Sequence, residues 1–421
     1  MDIDKALEYI HSICWKGSIP GLERTYELLE RLGNPQDRLK FVHIAGTNGK
    51  GSTASMLAGI FKSAGYRTGL YTSPYILCFH ERMQVNGEMI TDHELAEITE
   101  QVKPHAEAMV DHPTEFELVT AIAMIYFLQK KCDIVILEVG MGGQWDSTNV
   151  IQTPEAAVLC NIGLDHVQVL GSTLQEIAET KAGIIKGGDV IVYRTEVEHV
   201  FAEKCAQTGA QLHLADFDSI KLQHADFSGQ CFDHGERKAL FLPLLGEHQR
   251  RNAAVVLKTV DVLRHKGWIL PEQAVREGLQ KTCWAGRFEL VSRDPVFFVD
   301  GGHNVQCMQA LVRNIQDHLP ECPITALTGV MADKDVSQMY QIVAPYVSRW
   351  VTVTPDNPRA MEAEELAQEL RQFGKPVTAC QSVEEGVKTA ISQTSASGAV
   401  VAFGSLYMVG AIRSAVKNRN K

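Results

Sequence analysis

Residues 41–54 read FVHIAGTNGKGSTA, an apolar run followed by a glycine-rich turn and a second run of small and apolar residues. A phosphate-binding loop has the pattern G-x-x-x-x-G-K-[ST], but here Gly51 stands between Lys50 and Ser52. The first glycine of the pattern is replaced by Ile44. Because glycine tolerates positive φ, such a turn can also be purely structural. The stretch predicts a strand, a turn and a helix, with a variant phosphate loop as one of two interpretations.

Three features favour the phosphate loop. The turn follows a predicted buried strand, and Lys50 is long enough to reach the β- and γ-phosphates of a nucleotide. The hydroxyl of Ser52 falls at a predicted helix N-terminus, where the helix dipole attracts anions. The additional Gly51 delays this hydroxyl by one residue without blocking the backbone, so Ser52 remains a candidate ligand for Mg²⁺.

The surrounding pattern is that of a parallel α/β sheet. The segments 132–140 (CDIVILEVG) and 155–163 (EAAVLCNIG) are apolar on both faces, as strands covered by helices on both sides are. Helices are predicted at 92–110, 114–130, 174–183 and 249–266. The strand and helix rhythm restarts after residue 293, beginning with a helix at 305–318.

The sequence therefore predicts an α/β protein of two domains. Residues 1–293 are expected to form a P-loop-type ATP-binding domain with a mostly parallel sheet and helices on both faces. Residues 294–421 are expected to form a smaller, Rossmann-like α/β domain. Ligands of such sheets bind beyond the carboxyl ends of the strands, where the loops discussed here lie.

Composition excludes several classes of protein. The 421-residue chain has a net charge of −11, which disfavours nucleic acid as a partner. No apolar run approaches the 18 residues of a membrane span, and the acidic N-terminal segment is unlike a signal peptide. Ten cysteines without a C-x-x-C pair fit a reducing cytoplasm better than a disulfide framework or a zinc cluster.

Acidic residues follow the two buried strands. Glu138 ends the first strand, and Asp165 and His166 follow the second. A carboxylate at this edge, facing a phosphate loop, is where Mg²⁺ requires one. Taken singly, Glu138 could be a buried structural carboxylate, and a lone histidine is more often structural than a ligand.

The chain resembles the folylpolyglutamate synthase and dihydrofolate synthase family, relatives of the Mur ligases of peptidoglycan synthesis. The resemblance covers nearly the whole chain in the family's order. It rests on GTNGKGS (46–52), YTSP (71–74), TEFE (114–117), EVGMGGQWDSTN (138–149), LDH (164–166), KAGI (181–184), RRNAA (250–254), GRFE (286–289), DGGHN (300–304), DKD (333–335) and GSLY (404–407). An ordered set of this kind is far more specific than any one of its members.

The resemblance implies roles for individual residues. The ATP-binding residues would be Asn48, Gly49, Lys50, Gly51, Ser52, Asn252, Arg287 and Asp300. Ligands of Mg²⁺, of which two ions are expected, would be Ser52, Ser73, Glu138 and His166. Catalytic residues would be Lys50, Lys181 and His303, with Lys181 carbamylated by CO₂. Folate would contact Arg82, Phe116, Trp145 and Asp146. Without the resemblance, the sequence alone favours a solvated helix lysine at Lys181.

The implied reaction is ATP-dependent addition of L-glutamate to the γ-carboxylate of a reduced folate through an acyl phosphate, with dihydrofolate synthesis from dihydropteroate as an open second activity. A monomer is expected. Two other functions are considered. A Mur-type ligase of a peptidoglycan precursor would need an additional N-terminal domain, for which the 45 residues before Gly46 leave no room. A nucleotide-hydrolysing switch has little use for the second domain.

Overall fold

The computed structural model describes residues 1–17 and 19–419. These residues form two compact units. Unit 1 consists of the chain up to Lys221 together with Asp233–Leu240 and Arg251–Thr282. Unit 2 consists of Leu222–Phe232, Phe241–Arg250 and the residues from Cys283 onward.

The main sheet of unit 1 has eight strands. They are β1 (Phe41–Ala45), β2 (Thr68–Tyr71), β3 (Met83–Val85), β4 (Glu88–Met89), β5 (Ile134–Glu138), β6 (Ala156–Leu159), β7 (Asp189–Val192) and β8 (Gln211–Leu214). Their order is β4-β3-β2-β5-β1-β6-β7-β8. All neighbours pair in parallel except the β2–β3 and β3–β4 pairs, which are antiparallel.

Helices connect these strands. The chain up to residue 282 forms α1 (Ile3–His11), α2 (Glu23–Arg31), α3 (Lys50–Ser63), α4 (Asp92–Glu107), α5 (Glu115–Gln129), α6 (Val167–Leu170), α7 (Leu174–Ala182), α8 (Glu198–Thr208), α9 (Glu247–His265) and α10 (Glu272–Gln280). Short 3₁₀ helices occur at Cys14–Lys16, Pro35–Arg38, Phe79–Arg82 and Ser147–Val150. Residues 220–242 add β9 (Ile220–Asp226), β10 (Gly229–His234) and β11 (Arg237–Leu242), in the order β11-β10-β9.

Chain direction explains why the sheet is covered on both faces. The crossover from β1 through α3 to β2 runs along the sheet in the opposite direction from the crossovers through α7 and α8. Because such crossovers are right-handed, the reversal puts α3 on the opposite face from α7 and α8. The reversal occurs beside β1, and ligands of open α/β sheets bind at that kind of switch point.

Unit 2 contains a six-stranded sheet with the order β12-β13-β17-β14-β15-β16. Its elements from residue 289 onward are β12 (Glu289–Arg293), β13 (Val296–Val299), α11 (Val305–His318), β14 (Ile324–Thr328), α12 (Val336–Val343), β15 (Val347–Thr352), α13 (Ala363–Arg371), β16 (Val377–Ala379), α14 (Val383–Gln393), β17 (Ala399–Phe403) and α15 (Val409–Arg419), with 3₁₀ turns at Ala344–Tyr346 and Leu406–Met408. Only β12 pairs in an antiparallel manner. The core contains the fully buried Trp350.

The predicted fold class is confirmed: a large, mostly parallel sheet in the N-terminal part and a second, smaller α/β sheet. The predicted helix at 305–318 has the observed bounds, whereas the helix predicted at 92–110 ends at Glu107 and the one predicted at 249–266 begins at Glu247. The helices α1, α2, α6, α8 and α10 were not predicted. The domain boundary predicted between residues 293 and 294 falls in the turn that joins β12 to β13, and it stays a prediction.

A buried ion pair between Arg24 of α2 and Glu117 of α5 connects the N-terminal residues of unit 1 to α5. Glu117 completes the capping box of α5 by accepting a hydrogen bond from the Thr114 backbone, 2.7 Å away. The same carboxylate pairs with the Arg24 guanidinium at 2.9 Å, and the two side chains are 4% and 10% exposed. Arg24 also donates to the Ile19 carbonyl and to Asp111. Removing Glu117 would leave the Arg24 charge with an exposed carboxylate, Asp111 at 3.3 Å, in place of a buried one.

We expect Glu117→Gln to lower the free energy of unfolding by about 3 kcal/mol, because the Arg24 charge loses its buried partner. The matched control is Glu27→Gln, which removes an exposed pair with Arg31 within α2 and should cost less than about 0.5 kcal/mol. Urea unfolding of the three proteins provides the comparison. Equal losses in both variants would show that the pair does not hold the N-terminal residues.

Candidate active site

The glycine-rich turn joins β1 to α3 at the carboxyl edge of the sheet of unit 1. Its first residues are held by the loop after β6, since the Thr47 backbone N–H donates to the Asn161 carbonyl at 2.7 Å. The Thr47 hydroxyl adds a contact of 2.9 Å to the Gly163 carbonyl. Gly49 ends the turn with φ 89° and caps α3, which starts at Lys50. The loop and the helix N-terminus that the sequence predicts are both present.

Gly46 allows the turn to pack against β6 more closely than any other residue would. A Cβ atom at this position would lie 2.6 Å from Cys160 Cβ and 3.1 Å from Cys160 Cα. Gly49 is equally confined, because its Cβ would lie 2.6 Å from Asn252 Oδ1. Asn252, predicted to contact the nucleotide, therefore lies directly against the glycine-rich loop.

Lys181 is buried beneath this loop. Its side chain reaches from α7 and donates from Nζ to the Gly46 carbonyl at 3.0 Å, and the residue is 3% exposed. Burial, assisted by the nearby positive charge of Lys50, lowers the pKa of Lys181 to about 7. The interpretation as a solvated helix lysine is wrong, since a helix lysine in water would be exposed and would keep its ordinary pKa.

The candidate metal ligands lie at or after the carboxyl ends of four neighbouring parallel strands, which have the sheet order β2, β5, β1 and β6. Glu138, the last residue of β5, is 4% exposed. Its Oε2 accepts a hydrogen bond of 3.3 Å from the Ser73 backbone, just beyond β2. Ser52 is buried in the first turn of α3, and His166 is an exposed residue after β6 with φ 50°.

These residues fit a magnesium site that relies on phosphate and water. Among residues 1–17 and 19–419, no group of three or more His, Cys, Asp or Glu side chains could hold a metal ion, so a cage made of protein groups alone is not present in the described chain. Mg²⁺ is commonly held by one or two carboxylates together with substrate phosphates and water. One buried carboxylate, Glu138, together with Ser52 in the first turn of α3, would match that requirement if the loop binds phosphate.

Two predicted folate contacts meet at Gly140, in the turn after β5. A Cβ atom on Gly140 would lie 2.5 Å from Phe116 Cζ and 3.1 Å from Asp146 Oδ2. Asp146 is 6% exposed, and burial raises the pKa of its carboxyl group. In the same turn Trp145 is 51% exposed. The Phe116 ring therefore lies close to the Asp146 carboxylate. The Trp145 indole, in the same turn as Asp146, is accessible to solvent.

Arg82, the fourth predicted folate contact, lies in a different setting. Its guanidinium carbon is 5.3 Å from the ring centre of Tyr75 and 5.5 Å from that of Phe79. The Nε and Nη1 atoms are buried, and neither has a hydrogen-bond partner among the described residues. A ligand oxygen that paired with them would satisfy two buried donors.

Unit 2 carries the remaining predicted residues, Arg287 just before β12 and Asp300 and His303 just after β13. Asp300 accepts hydrogen bonds from the backbone N–H groups of Phe288 and Gly302, at 2.9 and 2.7 Å. Burial raises the pKa of Asp300, and the Arg287 charge opposes that shift. The His303 Nδ1 donates to the Gly301 carbonyl at 2.9 Å. Arg287, Asp300 and His303 therefore belong to one local cluster.

Sequence reasoning missed three residues that shape the site of unit 1: His43, Thr148 and Cys160. Cys160 forms the surface against which Gly46 packs. His43 and Thr148 lie behind Asp146, connected to it by hydrogen bonds. A polar residue at the centre of the apolar run FVHIA was the one available signal for His43, because a buried polar group requires a partner.

Comparison with known proteins agrees with this geometry. Residues 44–260 match the Mur ligase middle domain and residues 286–406 match the glutamate ligase domain of Mur ligases. The chain is a member of the Mur ligase superfamily. It is 35% identical to the dihydrofolate synthase/folylpolyglutamate synthase of Bacillus subtilis, over 98% of each chain. Within the superfamily, the chain belongs to the folylpolyglutamate synthase and dihydrofolate synthase family.

Solved structures lead to the same family. The structure of Escherichia coli FolC in complex with DHPP and ADP has a TM-score of 0.89 and 28% identity, covering 100% of this chain and 99% of that one. A bifunctional folylpolyglutamate synthase/dihydrofolate synthase with Mn, AMPPNP and L-glutamate bound has a TM-score of 0.85 and 29% identity, covering 99% of this chain and 98% of that one. In the described part of the chain, no helix has the length and apolar composition needed to cross a membrane.

Replacement of Gly46 should disable the loop. Gly46→Ala places a methyl group 2.6 Å from Cys160 Cβ, so the loop backbone must move away from β6. A shift of about 1 Å at a reacting centre costs roughly 10²-fold in rate, and we expect a loss of that size in kcat/KM for ATP. The control is Gly65→Ala, a left-handed glycine (φ +91°) with no neighbouring atom within 4 Å of the added carbon. Steady-state kinetics of both variants provide the test. Equal changes in kcat/KM for ATP would mean that close packing at Gly46 is unimportant.

Proposed function

We propose that this chain is an ATP-dependent ligase that adds L-glutamate to the γ-carboxylate of a reduced folate, by way of an acyl phosphate. The observation that carries the proposal is a hydrogen bond of 3.3 Å from the Ser73 backbone N–H to the Glu138 carboxylate, beside the phosphate loop. Membership of the folate ligase family over 98% of the chain adds direct support. The relatives from Bacillus subtilis and Lacticaseibacillus casei, each matched over 98% of its length, are a dihydrofolate synthase/folylpolyglutamate synthase and a folylpolyglutamate synthase. This favours the proposed function over a peptidoglycan-precursor ligase or a nucleotide-hydrolysing switch.

In the first step a folate carboxylate oxygen attacks the γ-phosphorus of ATP, and ADP leaves. The phosphate loop, residues 46–49, would cradle the phosphates with its backbone N–H groups and the N-terminus of α3. Lys50, whose Nζ is 3.4 Å from the Thr47 carbonyl, would stabilise the negative charge that develops on the phosphoryl group during transfer. In phosphoryl transfer, positioning and electrostatic stabilisation supply nearly all of the catalysis.

In the second step the amine of L-glutamate attacks the acyl carbon, phosphate leaves, and an amide bond forms. Mg²⁺, with two ions proposed, would neutralise phosphate charge through Ser52, Ser73, Glu138 and His166. Asn252, Arg287 and Asp300 are proposed nucleotide contacts, and His303 is a proposed catalytic residue. Each of these roles rests on the family resemblance together with the local geometry described above.

Lys181 is proposed to be carbamylated, with its neutral amine adding to CO₂ and releasing a proton. Only a neutral amine reacts, and a pKa near 7 leaves a large fraction neutral at physiological pH. The modification also has an electrostatic motive. Lys50 is the strongest charged neighbour of Lys181 and repels it, whereas a carbamate would attract Lys50 and offer two oxygens toward the metal.

Folate is proposed to bind at Phe116, Trp145, Asp146 and Arg82. Tetrahydrofolate is the preferred acceptor in this proposal and dihydropteroate a poorer one, because the segment 16–20 (KGSIP) offers no carboxylate to the pterin. We also propose a monomer in the cytoplasm. All ten cysteines are free thiols, which supports a reducing compartment.

The proposal predicts glutamate-dependent release of ADP. Purified protein should release ADP from ATP when tetrahydrofolate and L-glutamate are both present, and kcat/KM should be lower with dihydropteroate. Lys50→Ala and Glu138→Ala should each lose roughly 10²-fold or more in rate with unchanged circular dichroism. Lys62→Ala, an exposed lysine of the same helix α3, is the matched control and should retain full activity. ADP release at the same rate with and without L-glutamate would instead identify a nucleotide-hydrolysing switch.

Carbamylation of Lys181 can be observed directly. With ¹³C-bicarbonate, a carbamate signal is expected in the carbon NMR spectrum, growing as the pH rises through about 7, because the neutral amine then dominates. Lys181→Ala should lack the signal and the activity, and acetate should restore part of the activity. Lys221→Ala, at an exposed position on β9, should keep both. A fully active Lys181→Ala enzyme would refute the role.

A further inference from the structure

A chain of three buried side chains runs from β1 to the turn after β5. His43, at the centre of β1, lies 2.9 Å from the Thr148 hydroxyl through its Nε2 atom. The Thr148 hydroxyl donates to Asp146 Oδ1 at 2.6 Å, and the Thr148 backbone N–H donates to the same oxygen at 3.0 Å. His43 and Thr148 are both fully buried. The other carboxylate oxygen, Oδ2, accepts a hydrogen bond from the Met141 backbone at 2.8 Å.

The direction of these hydrogen bonds follows from the partners available. Burial lowers the pKa of His43 to about 3, so the imidazole is neutral. Its Nδ1 is buried without a hydrogen-bond partner, and a buried N–H without an acceptor is the more costly alternative, so the proton resides on Nε2. Nε2 therefore donates to Thr148, and the Thr148 hydroxyl is left with Asp146 as its acceptor.

The arrangement makes the two oxygens of Asp146 different. Oδ1 accepts two hydrogen bonds from Thr148 and has no remaining acceptor capacity. Oδ2 accepts one, from Met141, and retains a second lone pair. Oδ2 is also the carboxylate oxygen on the side of Phe116, since a Cβ added to Gly140 would lie 3.1 Å from Oδ2 and 2.5 Å from Phe116 Cζ. A flat ligand beside Phe116 that carries N–H donors would meet this lone pair.

We infer that Thr148 is a positioning residue for the folate acceptor: held as a donor by His43, its hydroxyl occupies Asp146 Oδ1 and directs Oδ2 toward the N–H groups of a pterin ring packed on Phe116. The inference rests on the proposed function, because it deepens the assignment of Asp146 and Phe116 to the folate site. It adds two residues, Thr148 and His43, that contact no substrate and act through Asp146.

The test compares isosteric substitutions at Thr148. Thr148→Val removes the hydroxyl and keeps the shape, and it should raise KM for tetrahydrofolate about tenfold or more, the loss expected for one hydrogen bond to a charged group. KM for ATP should stay within about twofold, because the phosphate loop does not depend on Thr148. Thr148→Ser keeps the donor and should restore the folate KM to within about threefold of wild type.

A matched control separates positioning from general destabilisation. Thr99, in α4, is likewise fully buried, and its hydroxyl donates to the Leu95 carbonyl of the same helix at 2.6 Å. Thr99→Val should lower the melting temperature by an amount similar to Thr148→Val without changing either KM. The inference is overturned if Thr148→Val changes the two KM values equally, changes neither, or is not rescued by serine.

His43 is tested by non-additivity. His43→Leu removes the donor that holds Thr148 and should raise the folate KM by a few-fold, whereas His43→Gln retains an amide N–H and should raise it less. Because both residues act through one chain, the double variant His43→Leu/Thr148→Val should have the same folate KM as Thr148→Val alone. Independent, additive effects would exclude the chain from His43 to Asp146.

Equilibrium binding distinguishes failure of this inference from failure of the proposed function. Tetrahydrofolate affinity, measured by quenching of intrinsic fluorescence without ATP, does not require turnover. A Thr148→Val protein that binds at least about tenfold more weakly supports the inference even if the wild type shows no ligase activity. A wild-type protein that ligates glutamate while Thr148→Val binds the pterin normally contradicts the inference alone. A wild-type protein that binds no pterin contradicts both.

Discussion

The close approach of Gly46 to Cys160 is the constraint on which the site of unit 1 depends. Without a side chain at residue 46, the loop after β1 can pack against the backbone of Cys160, the residue that follows β6. That contact brings the Gly46 carbonyl within 3.0 Å of Lys181 Nζ and the Thr47 N–H within 2.7 Å of the Asn161 carbonyl. Because protein interiors are close-packed, even one additional methyl group there would displace the loop.

A second constraint acts on the 3₁₀ helix Ser147–Val150, where elements from around the sheet converge. The Ser147 hydroxyl is 2.7 Å from Thr120 of α5, and the Asn149 amide donates to the carbonyls of Gln144 and Gly183. The Lys186 ammonium donates to the Asn149 and Ile151 carbonyls at 2.5 Å. Buried polar groups with several partners specify one arrangement, since each partner lost leaves an unsatisfied group. These contacts fix the C-terminal end of the turn that runs from Glu138 to Asp146. The distance between the Glu138 and Asp146 carboxylates is thereby fixed as well.

The elements that the sequence predicted best are those whose signal is local. An apolar run that ends in a glycine-rich turn identified β1, β5 and β6 and put Glu138 at a strand end, because strand burial and turn chemistry act over a few residues. The helices α1 and α2 were missed, since they are stabilised by packing on α4 and α5 and by the buried Arg24–Glu117 pair. The meeting of Phe116 and Asp146 at Gly140 depends on where α5 packs, which no spacing along the chain reveals.

Lys181 illustrates how tertiary structure can reverse a residue-level expectation. A lysine in the last turn of an exposed helix would interact with water and with the helix carbonyls. Here α7 places that side chain under the glycine-rich loop, where its ammonium donates to the Gly46 carbonyl and a second cation, Lys50, lies near. A buried ammonium in such surroundings has two ways to relieve its cost: to lose its proton or to become an anion. Either outcome removes the repulsion between Lys181 and Lys50. The electrostatics of the loop therefore depend on the charge state of one residue 135 positions away in the sequence.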